Sequence, residues 1–267
     1  MIRSLYTAAS GMTGQQTNID TISNNLSNVN TVGFKKNRVD FQDLYYQTLR
    51  LPGSENSVNT TFPTPIEIGS GVKPSGTQKI HSQGDLQVSD NPYDVAIMGS
   101  GFFKIRLEDG SEAYTRVGKF NVDANGDLVT DEGNYFIDPP VTLPKDYFQE
   151  GASVNIGTDG LVSVKIPGTE EPVVVGYMKL YNFVNPSGLK SAGNNLLKET
   201  VASGPAYEGT PGSDGFGSLQ QGYLEMSNVK IVDELVNMIV AQRAYEFNSK
   251  AIQTSDQMLS TAVNLKR

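Results

Sequence analysis

The chain has 267 residues, of which 37% are hydrophobic and 19% are charged, a composition typical of a folded protein rather than of a disordered or membrane-embedded one. It has no cysteine and one histidine, His81, so disulfides and thiolate metal sites are excluded, and catalytic triads and imidazole zinc sites have almost no candidates. Residues 1–50 carry five Lys or Arg and three Asp or Glu, and residues 224–267 carry five of each, so the net charge of −8 leaves −10 on residues 51–223. An acidic middle segment argues against a nucleic-acid partner, because such binding depends on phosphate neutralisation.

No apolar run approaches the roughly 20 residues that a membrane-spanning helix needs. The first residues, MIRSLYTAASGMTGQQ, contain no apolar stretch of signal-peptide length. The sequence therefore predicts a protein that is not membrane-inserted and that, if it leaves the cytoplasm, does not do so by the general secretory route with a cleaved signal peptide.

Residues 1–33 are predicted to form an N-terminal helix, from about Ile2 to Val32. Its apolar residues recur every seven positions, at Leu5, Met12, Ile19 and Leu26. Asparagines crowd its end although asparagine is a mediocre helix former. Gly33 is expected as a left-handed residue closing the helix, with Phe34 folding back on Val29 in a Schellman arrangement.

Residues 34–83 are predicted to be an extended arm or a long hairpin. Within this segment, VDFQDLYYQTL fits either a strand or a short helix, and the sequence leaves both alternatives open. The following stretch, LPGSENSVNTTFPTPIEIGSGVKPSG, is too polar and too rich in Pro and Gly to be core.

Residues 84–217 are predicted to form an all-β outer domain. Short β-rich runs such as DVAIMGSGFFKIRL, EAYTRVGKFNV and EPVVVGYMKLYNF alternate with the turn signals Asp109-Gly110, Asn125-Gly126 and Asp159-Gly160. The compact part is expected at about residues 84–183, with a tail to about residue 217. This spacing favours a compact, mainly antiparallel domain, with a type I′ turn at Asn125-Gly126.

Residues 224–267 are predicted to form a C-terminal coiled-coil helix that packs with residues 1–33. Its apolar residues keep a spacing of seven: Leu224, Ile231, Met238, Tyr245, Ile252 and Leu259. Leu235 and Val263 lie on the companion seam. Asn228 is expected to cap a helix that starts at Val229, with Asp233 and Glu234 near the positive end of its dipole and Lys266 and Arg267 near the negative end.

Two motifs begin like ligand-binding loops but lack residues that those loops require. GSGFFK begins like a dinucleotide loop, but Lys104 occupies the third glycine position and no helix pattern follows, so we interpret it as a bend between strands. VDANGD has calcium-loop spacing at its start, but Leu128 and Asn134 stand where that loop needs Gly and Glu. We therefore predict no catalytic residue, no cofactor and no metal.

The sequence thus predicts an α+β fold in which long terminal helices pair as a coiled-coil-like inner layer around a mainly antiparallel all-β middle domain. Polar residues on a helix seam lower stability but select register, because a buried unpaired amide penalises the wrong alignment. We predict that the assembly interface consists of Leu5, Met12, Ile19, Asn24, Asn25, Leu26, Asn28, Ile231, Leu235, Met238, Tyr245, Ile252 and Leu259.

Several long segments resemble a known family. ISNNLSNVNTVGFKK resembles the N-terminal signature of bacterial flagellar rod and hook proteins, and ELVNMIVAQRAYEFNSKAIQTSDQML resembles their C-terminal signature. HSQGDLQVSDNPYDVAIMGSGFF and AYTRVGKFNVDANGDLVT are most similar to distal rod members of the basal-body rod protein family. The resemblance covers essentially the whole chain.

The resemblance implies a structural subunit, not an enzyme, that self-assembles into a rigid tubular drive shaft around the export channel and transmits torque from motor to hook. It implies a location in the basal body, in the rod that crosses the periplasm. The implied partners are further copies in a helical homopolymer, proximal rod proteins, the hook protein, the basal-body rings and the flagellar type III export apparatus. The alternatives are a proximal rod or hook-type axial protein, and a ligand-binding β module on a coiled-coil stalk.

Overall fold

A computed structural model of the chain describes residues 2–52, 55–57, 60–61, 63–107, 109–131, 136–144, 152–166 and 171–264. It contains a helix near each end and a mainly antiparallel β middle, as the sequence predicts. The chain divides into two compact units. Unit 1 comprises residues 1–27, 37–79 and 230–267, and unit 2 comprises residues 28–36 and 80–229.

Unit 1 consists of two helices and a long hairpin. The helices are α1 (Ile2–Ser27) and α2 (Ile231–Asn264). The hairpin strands described are β1 (Asn37–Asp43), β2 (Tyr46–Arg50), β3 (Glu55–Ser57), β4 (Thr60–Thr61), β5 (Ile66–Gly69) and β6 (Val72–Lys79). They pair antiparallel as β1 with β6, β2 with β5 and β3 with β4. Of the two alternatives left open for this segment, the structure has strands, and of arm and hairpin it has the hairpin.

α1 is shorter than predicted, because it ends at Ser27 and not near Val32. The hydroxyl of Ser27 donates to the carbonyl of Asn24 (2.9 Å) and so satisfies a backbone group of the last turn. Beyond the helix, the N–H of Thr31 donates to the carbonyl of Asn28 in a separate turn (3.2 Å). Ser and Asn side chains are able to compete for helical backbone groups, as the Ser27 hydroxyl does here, and this chemistry favours an early helix end.

The predicted Schellman ending at Gly33 is wrong, although the predicted conformation of this glycine is confirmed. Gly33 has a φ of +68°. Its N–H donates to the carbonyl of Glu225 (2.8 Å) rather than to a carbonyl of α1. Gly33 therefore shapes a connecting segment of unit 2.

The hairpin of unit 1 packs on α1. An added Cβ at Gly14 of α1 would lie 3.2 Å from the ring of Phe41, and one at Gly71 would meet the hydroxyl of Ser10. The same hydroxyl accepts a hydrogen bond from the N–H of Val72 (3.3 Å). Glycine on both sides thus allows helix and hairpin to approach closely.

Unit 2 is built from short antiparallel strands. The first ones are β7 (Leu86–Val88), β8 (Val95–Met98), β9 (Phe103–Arg106), β10 (Glu112–Thr115), β11 (Phe120–Val122), β12 (Leu128–Thr130), β13 (Phe136–Ile137) and β14 (Ser153–Ile156). The later ones are β15 (Leu161–Lys165), β16 (Val173–Tyr177), β17 (Leu180–Asn182), β18 (Lys190–Gly193), β19 (Leu196–Lys198), β20 (Tyr207–Gly209), β21 (Ser218–Gln221) and β22 (Tyr223–Glu225).

The largest described sheet of unit 2 has the strand order β11-β12-β13-β9-β10-β19-β18. A second sheet has the order β14-β15-β16. Three further pairs are β17 with β20, β21 with β8 and β22 with β7. Strand β19 lies between β10 and β18 within the main sheet, so the segment beyond residue 183 is an integral part of the β structure.

The core of unit 2 is apolar and tightly packed. The rings of Phe103 and Phe120 pack edge to face, with their centroids 5.3 Å apart. They belong to a cluster that includes the fully buried Val162, Met178 and Leu219. A second cluster groups the aromatic rings of β10 and β17 with neighbouring Phe and Leu residues. Burial of this kind stabilises the unit by about 1.5–3 kcal/mol per large side chain.

The turn at Asn125-Gly126 differs from the predicted type I′ turn. Only Gly126 of the pair has a positive φ (+92°). Its N–H donates to the carbonyl of Asp123, and the N–H of Asp123 donates to the carbonyl of Asp127, both at 2.9 Å. The turn is therefore a longer loop with glycine at the left-handed position, because asparagine keeps an ordinary backbone conformation here.

The start of α2 also differs from the prediction. The helix begins at Ile231 and not at Val229, and Leu224 lies in strand β22. Asn228 does not cap the helix, because its side-chain amide bonds to the backbone of other segments of unit 2. Acidic residues occupy the first helical turn as predicted. Lys266 and Arg267 lie outside the described residues.

Candidate functional site: the helix pair and a buried ion cluster

The two helices of unit 1 run antiparallel and keep a constant register along their contact. The hydroxyl of Ser4 lies 3.4 Å from that of Ser255, and three heptads further along α1 the amide nitrogen of Asn25 lies 3.4 Å from a carboxylate oxygen of Glu234. The same number of residues separates the two contacts on α2. The line of contact therefore repeats every seven residues on both helices.

This line of contact is made of small and polar residues. One heptad from Ser4, an added Cβ on Gly11 would lie 2.9 Å from the amide nitrogen of Asn248, so glycine is needed for the close approach. On α2 the buried residues are Glu234, Ala241 and Ser255, which lie seven and then fourteen residues apart along the helix. Ala8 and Ile22 of α1 supply buried apolar surface beside them.

The predicted interface residues differ in how deeply they are buried. Only Asn25 is fully buried, at 2% exposure. Those that are half-buried are Leu5, Met12, Ile19, Leu26, Asn28, Met238, Ile252 and Leu259. Those that are exposed are Asn24, Ile231, Leu235 and Tyr245.

On α1 the predicted apolar residues lie one position after the residues that face α2. Leu5 follows Ser4, Met12 follows Gly11, and the same offset holds further along the helix. On α2 the contact residues nearest to Met238 are Glu234 and Ala241, four positions before it and three after it. Around Ile252 the corresponding contact residues are Asn248 and Ser255. The helices therefore touch through polar seams that the apolar heptads flank.

A second apolar stripe on α2 was missed from the sequence. It is defined here as the outer stripe, and it consists of Val232, Val236, Ile239, Val240 and Phe247, which are 54–72% exposed. A signal for it is present, because apolar doublets recur every four residues in IVDELVNMIV and each doublet spans two faces of a helix. Exposed apolar groups in one contiguous stripe are typical of an interaction surface.

Asn25 explains part of the asparagine-rich segment. Its side-chain oxygen accepts from the N–H of Asn37 (2.9 Å), and its side-chain nitrogen donates to the carbonyl of the same residue (2.8 Å). The amide therefore acts like the peptide of a neighbouring strand, since it satisfies both backbone groups of one residue. It connects the last turn of α1 to the first residue of β1 and to the first turn of α2.

A buried ion cluster lies in unit 2. Glu225 of β22 accepts from the side chains of Lys35 (2.5 Å) and Arg116 (2.6 Å), and the three side chains are at most 7% exposed. Glu225 also accepts from the N–H of Gly84 (2.8 Å), and the Lys35 ammonium donates to the carbonyl of Ser82 (2.7 Å). Every charged group in the cluster thus has an oppositely charged partner and further hydrogen bonds.

The glycine-rich bend between β8 and β9 encloses the Arg116 guanidinium. The carbonyls of Ile97, Gly99 and Gly101 accept its hydrogen bonds at 2.5–3.1 Å. A phosphate-binding loop presents backbone N–H groups to its ligand, whereas this loop presents carbonyls to a cation. The bend predicted for GSGFFK is confirmed, and it binds an arginine of its own chain.

The cluster favours the ionised form of its carboxylate. Burial by itself raises the pKa of Glu225, but the nearby charges of Arg116 and Lys35 outweigh burial and hold that pKa below its ordinary value. Sequence reasoning missed this site because its members lie far apart in the chain. The available signal was the single charge of Glu225 inside the apolar run GYLEM.

The described residues contain no group of three or more His, Asp or Glu side chains placed to hold a metal ion. Neither described helix has an apolar stretch long enough to cross a membrane.

Comparison with known proteins identifies the chain. The family "Flagella basal body rod protein" matches residues 5–35, "Flagellar hook protein FlgE/F/G D1 domain" matches residues 96–164, and "Flagellar basal body rod FlgEFG protein C-terminal" matches residues 220–265. The flagellar basal-body rod protein FlgG of Borreliella burgdorferi is 54% identical over the full length of both chains. The FlgG protein of Buchnera aphidicola is 52% identical over 97% of this chain and 98% of its own length. That of Caulobacter vibrioides is 46% identical over 99% of this chain and 100% of its own length.

The chain belongs to the FlgG family of flagellar basal-body rod proteins. It is a structural subunit of the flagellar distal rod and functions in motility, as the resemblance of its sequence implied. Its relatives are structural proteins of the flagellum and not enzymes.

Proposed function

We propose that the terminal helices of this rod subunit pair as a coiled coil in the inner layer of the rod, where they line the export channel, and that copies of the chain contact one another through α2. The observation that carries this proposal is the outer stripe. α2 uses its small and polar side to contact α1, and its most apolar residues are left in solvent. Asn25 lies in the contact itself. The other predicted interface residues on α1 and α2 flank the contact and belong to the same proposed assembly surface.

The magnitude of this surface favours a polymer over a stable pair. Complete burial of one Val, Ile or Phe side chain is worth about 1.5–3 kcal/mol, so five partly exposed residues offer on the order of 5–10 kcal/mol. Association costs roughly 4–15 kcal/mol in lost translational and rotational freedom. A single contact between two copies is therefore weak, and stability requires that each copy contact several others.

The chemistry of the stripe also fits an open assembly. In this proposal the apolar stripe of one copy meets a different surface of the next copy, because contact between two identical stripes would close a pair and leave no stripe for further growth. Head-to-tail contacts between unlike surfaces generate helical filaments when the rotation does not close. Such a filament is a rigid tube that can transmit torque from the motor to the hook.

We further propose that residues 84–217 form the outer layer and that the rod crosses the periplasm. The net charge of −10 on residues 51–223 supports an outward position, because one sign of charge limits tight adhesion to neutral or anionic neighbours. The proposed partners are proximal rod proteins, the hook protein, the surrounding basal-body rings and the flagellar type III export apparatus. Export without a cleaved signal peptide is part of this proposal.

The test is a charge in the outer stripe, with a matched charge elsewhere. Val236→Asp places a carboxylate in a contact that must lose its water, at a cost of several kcal/mol. Val201→Asp makes the same change at a fully exposed valine of unit 2. Polymerisation of the purified protein, followed by light scattering, is expected to be lost in the first variant and kept in the second.

Helix content measured by circular dichroism has to stay unchanged in both variants for the comparison to hold. If Val236→Asp polymerises as the unmodified chain does, α2 does not provide the contact between copies.

A further inference from the structure

The side chain of Asn228 joins two other chain segments of unit 2. Its oxygen accepts from the N–H of Lys36 (2.8 Å), and its nitrogen donates to the carbonyl of Ile80 (2.8 Å). The N–H of Ile80 in turn donates to the carbonyl of Lys36 (2.9 Å). The three groups therefore form a closed ring of hydrogen bonds, which we call the Asn228 ring.

Asn228 replaces a strand in this ring. A primary amide has one acceptor and two donor hydrogens, so it can pair with two peptide groups at once. The second donor hydrogen is used as well, because the nitrogen lies 3.2 Å from the carbonyl oxygen and 3.0 Å from the hydroxyl of Ser82. Aspartate, leucine and alanine cannot make this set of bonds.

The ring joins the places where the chain passes between the two units. The chain makes four such passages, at residues 27/28, 36/37, 79/80 and 229/230. Lys36 and Ile80 are the unit 2 residues at passages 36/37 and 79/80. Asn228 directly precedes Val229, the unit 2 residue at passage 229/230. The segment that begins at the remaining passage is tied to the same region by the hydrogen bond from Gly33 to Glu225 and by the Lys35–Glu225 ion pair.

We propose that Asn228 is a positioning residue for torque transmission, which holds the connecting segments of each subunit together so that they twist as one body. This inference rests on the proposed function of the chain as a subunit of the drive shaft. A single connecting strand can rotate about its own φ and ψ angles, whereas strands joined by hydrogen bonds have to rotate together. Without the ring, each subunit yields more to a twisting load although the rod still assembles.

The first measurement is hydrogen exchange of the purified full-length chain. In Asn228→Leu, exchange at the Lys36 amide is expected to rise by about tenfold or more, because its acceptor is gone. In Asn228→Asp the acceptor remains, so the Lys36 amide stays protected, while the new oxygen faces the Ile80 carbonyl and weakens that connection. Asn182→Leu is the matched control, since Asn182 also bonds to two backbone groups of unit 2 but lies at no passage.

The second measurement is the rotation of flagella at increasing load. Cells with either Asn228 variant are expected to build rods of normal number and length, to rotate normally at low load and to lose speed at high load, while Asn182→Leu cells behave like the parent. Normal speed at every load, with normal rods, would overturn the inference and leave the proposed function intact. Rods that lack this chain in the parent strain would instead overturn the proposed function.

Asn228 variants that build no rods also count against the inference, because the residue would then be required for assembly. An unchanged Lys36 exchange rate in Asn228→Leu contradicts the ring itself.

Discussion

Glu225→Gln should be among the most destabilising single substitutions in unit 2, because it removes the shared anion of the buried cluster. Glutamine keeps the shape and one acceptor oxygen. That oxygen can serve Lys35 and the N–H of Gly84, but the new NH2 group then faces the Arg116 guanidinium. The substitution thus exchanges an attraction at 2.6 Å for a contact between two donors.

The expected loss is about 3–5 kcal/mol of the free energy of unfolding, since removing one partner of a buried ion pair leaves the other charge uncompensated. This is a large share of the roughly 5–15 kcal/mol that stabilise a typical domain. Glu208→Gln is the matched control. It removes the ion pair of Glu208 with Lys179, which is exposed on both sides, and should cost less than about 1 kcal/mol.

The assay is urea unfolding of the full-length chain at neutral pH. The chain has 12 tyrosines and no tryptophan, so the near-ultraviolet circular dichroism of tyrosine reports tertiary packing. The packed pair Tyr114 and Tyr181 lies in unit 2, with ring centroids 5.9 Å apart. Equal losses in Glu225→Gln and Glu208→Gln would refute the reasoning, because burial would then make no difference.

The remaining predictions concern pH and the helix pair. Because the folded pKa of Glu225 lies below its unfolded value of about 4.5, its stabilisation is complete above pH 4.5 and is lost as pH falls through the folded pKa. The difference in unfolding free energy between parent and Glu225→Gln should therefore shrink below pH 4.5, and a constant difference down to acid pH would contradict this. Asn25→Asp removes a donor and adds a second carboxylate to the buried seam, so it should cost about 1–3 kcal/mol and raise hydrogen exchange in α1, whereas Asn24→Asp at an exposed position should not. Met238→Asp and Ile252→Asp should abolish motility while the thermal melt of unit 2 is unchanged, and motile cells from both variants would exclude these residues from the assembly.

The sequence predicted the regular features that local chemistry controls. Heptad spacing located both helices, and β-rich runs between glycine turns located the strands of unit 2. The left-handed conformation of Gly33 also followed from its residue type. Helix ends were less predictable, because the partner that competes for a backbone group, such as Glu225 for Gly33, comes from a distant part of the chain.

The candidate site was harder to predict, since its geometry depends on which helix face finds a partner. A heptad of apolar residues normally marks the contact seam, but here the seam contains Gly11, Asn25 and Ala241. Small residues bring the backbones closer than leucine would, and this advantage is visible only when both helices are seen together. The Lys35–Glu225–Arg116 cluster was not predicted, because its members lie 190 and 109 residues apart and the charge in GYLEM does not show which cations it meets.

The most direct test of the account is sedimentation of the purified full-length chain over a wide range of concentrations. A rod subunit should be monomeric when dilute and should form polymers of increasing length as the concentration rises, because each weak contact becomes stable only within an open array. A discrete dimer or trimer that does not grow with concentration would contradict the account, and would favour a ligand-binding β module on a coiled-coil stalk.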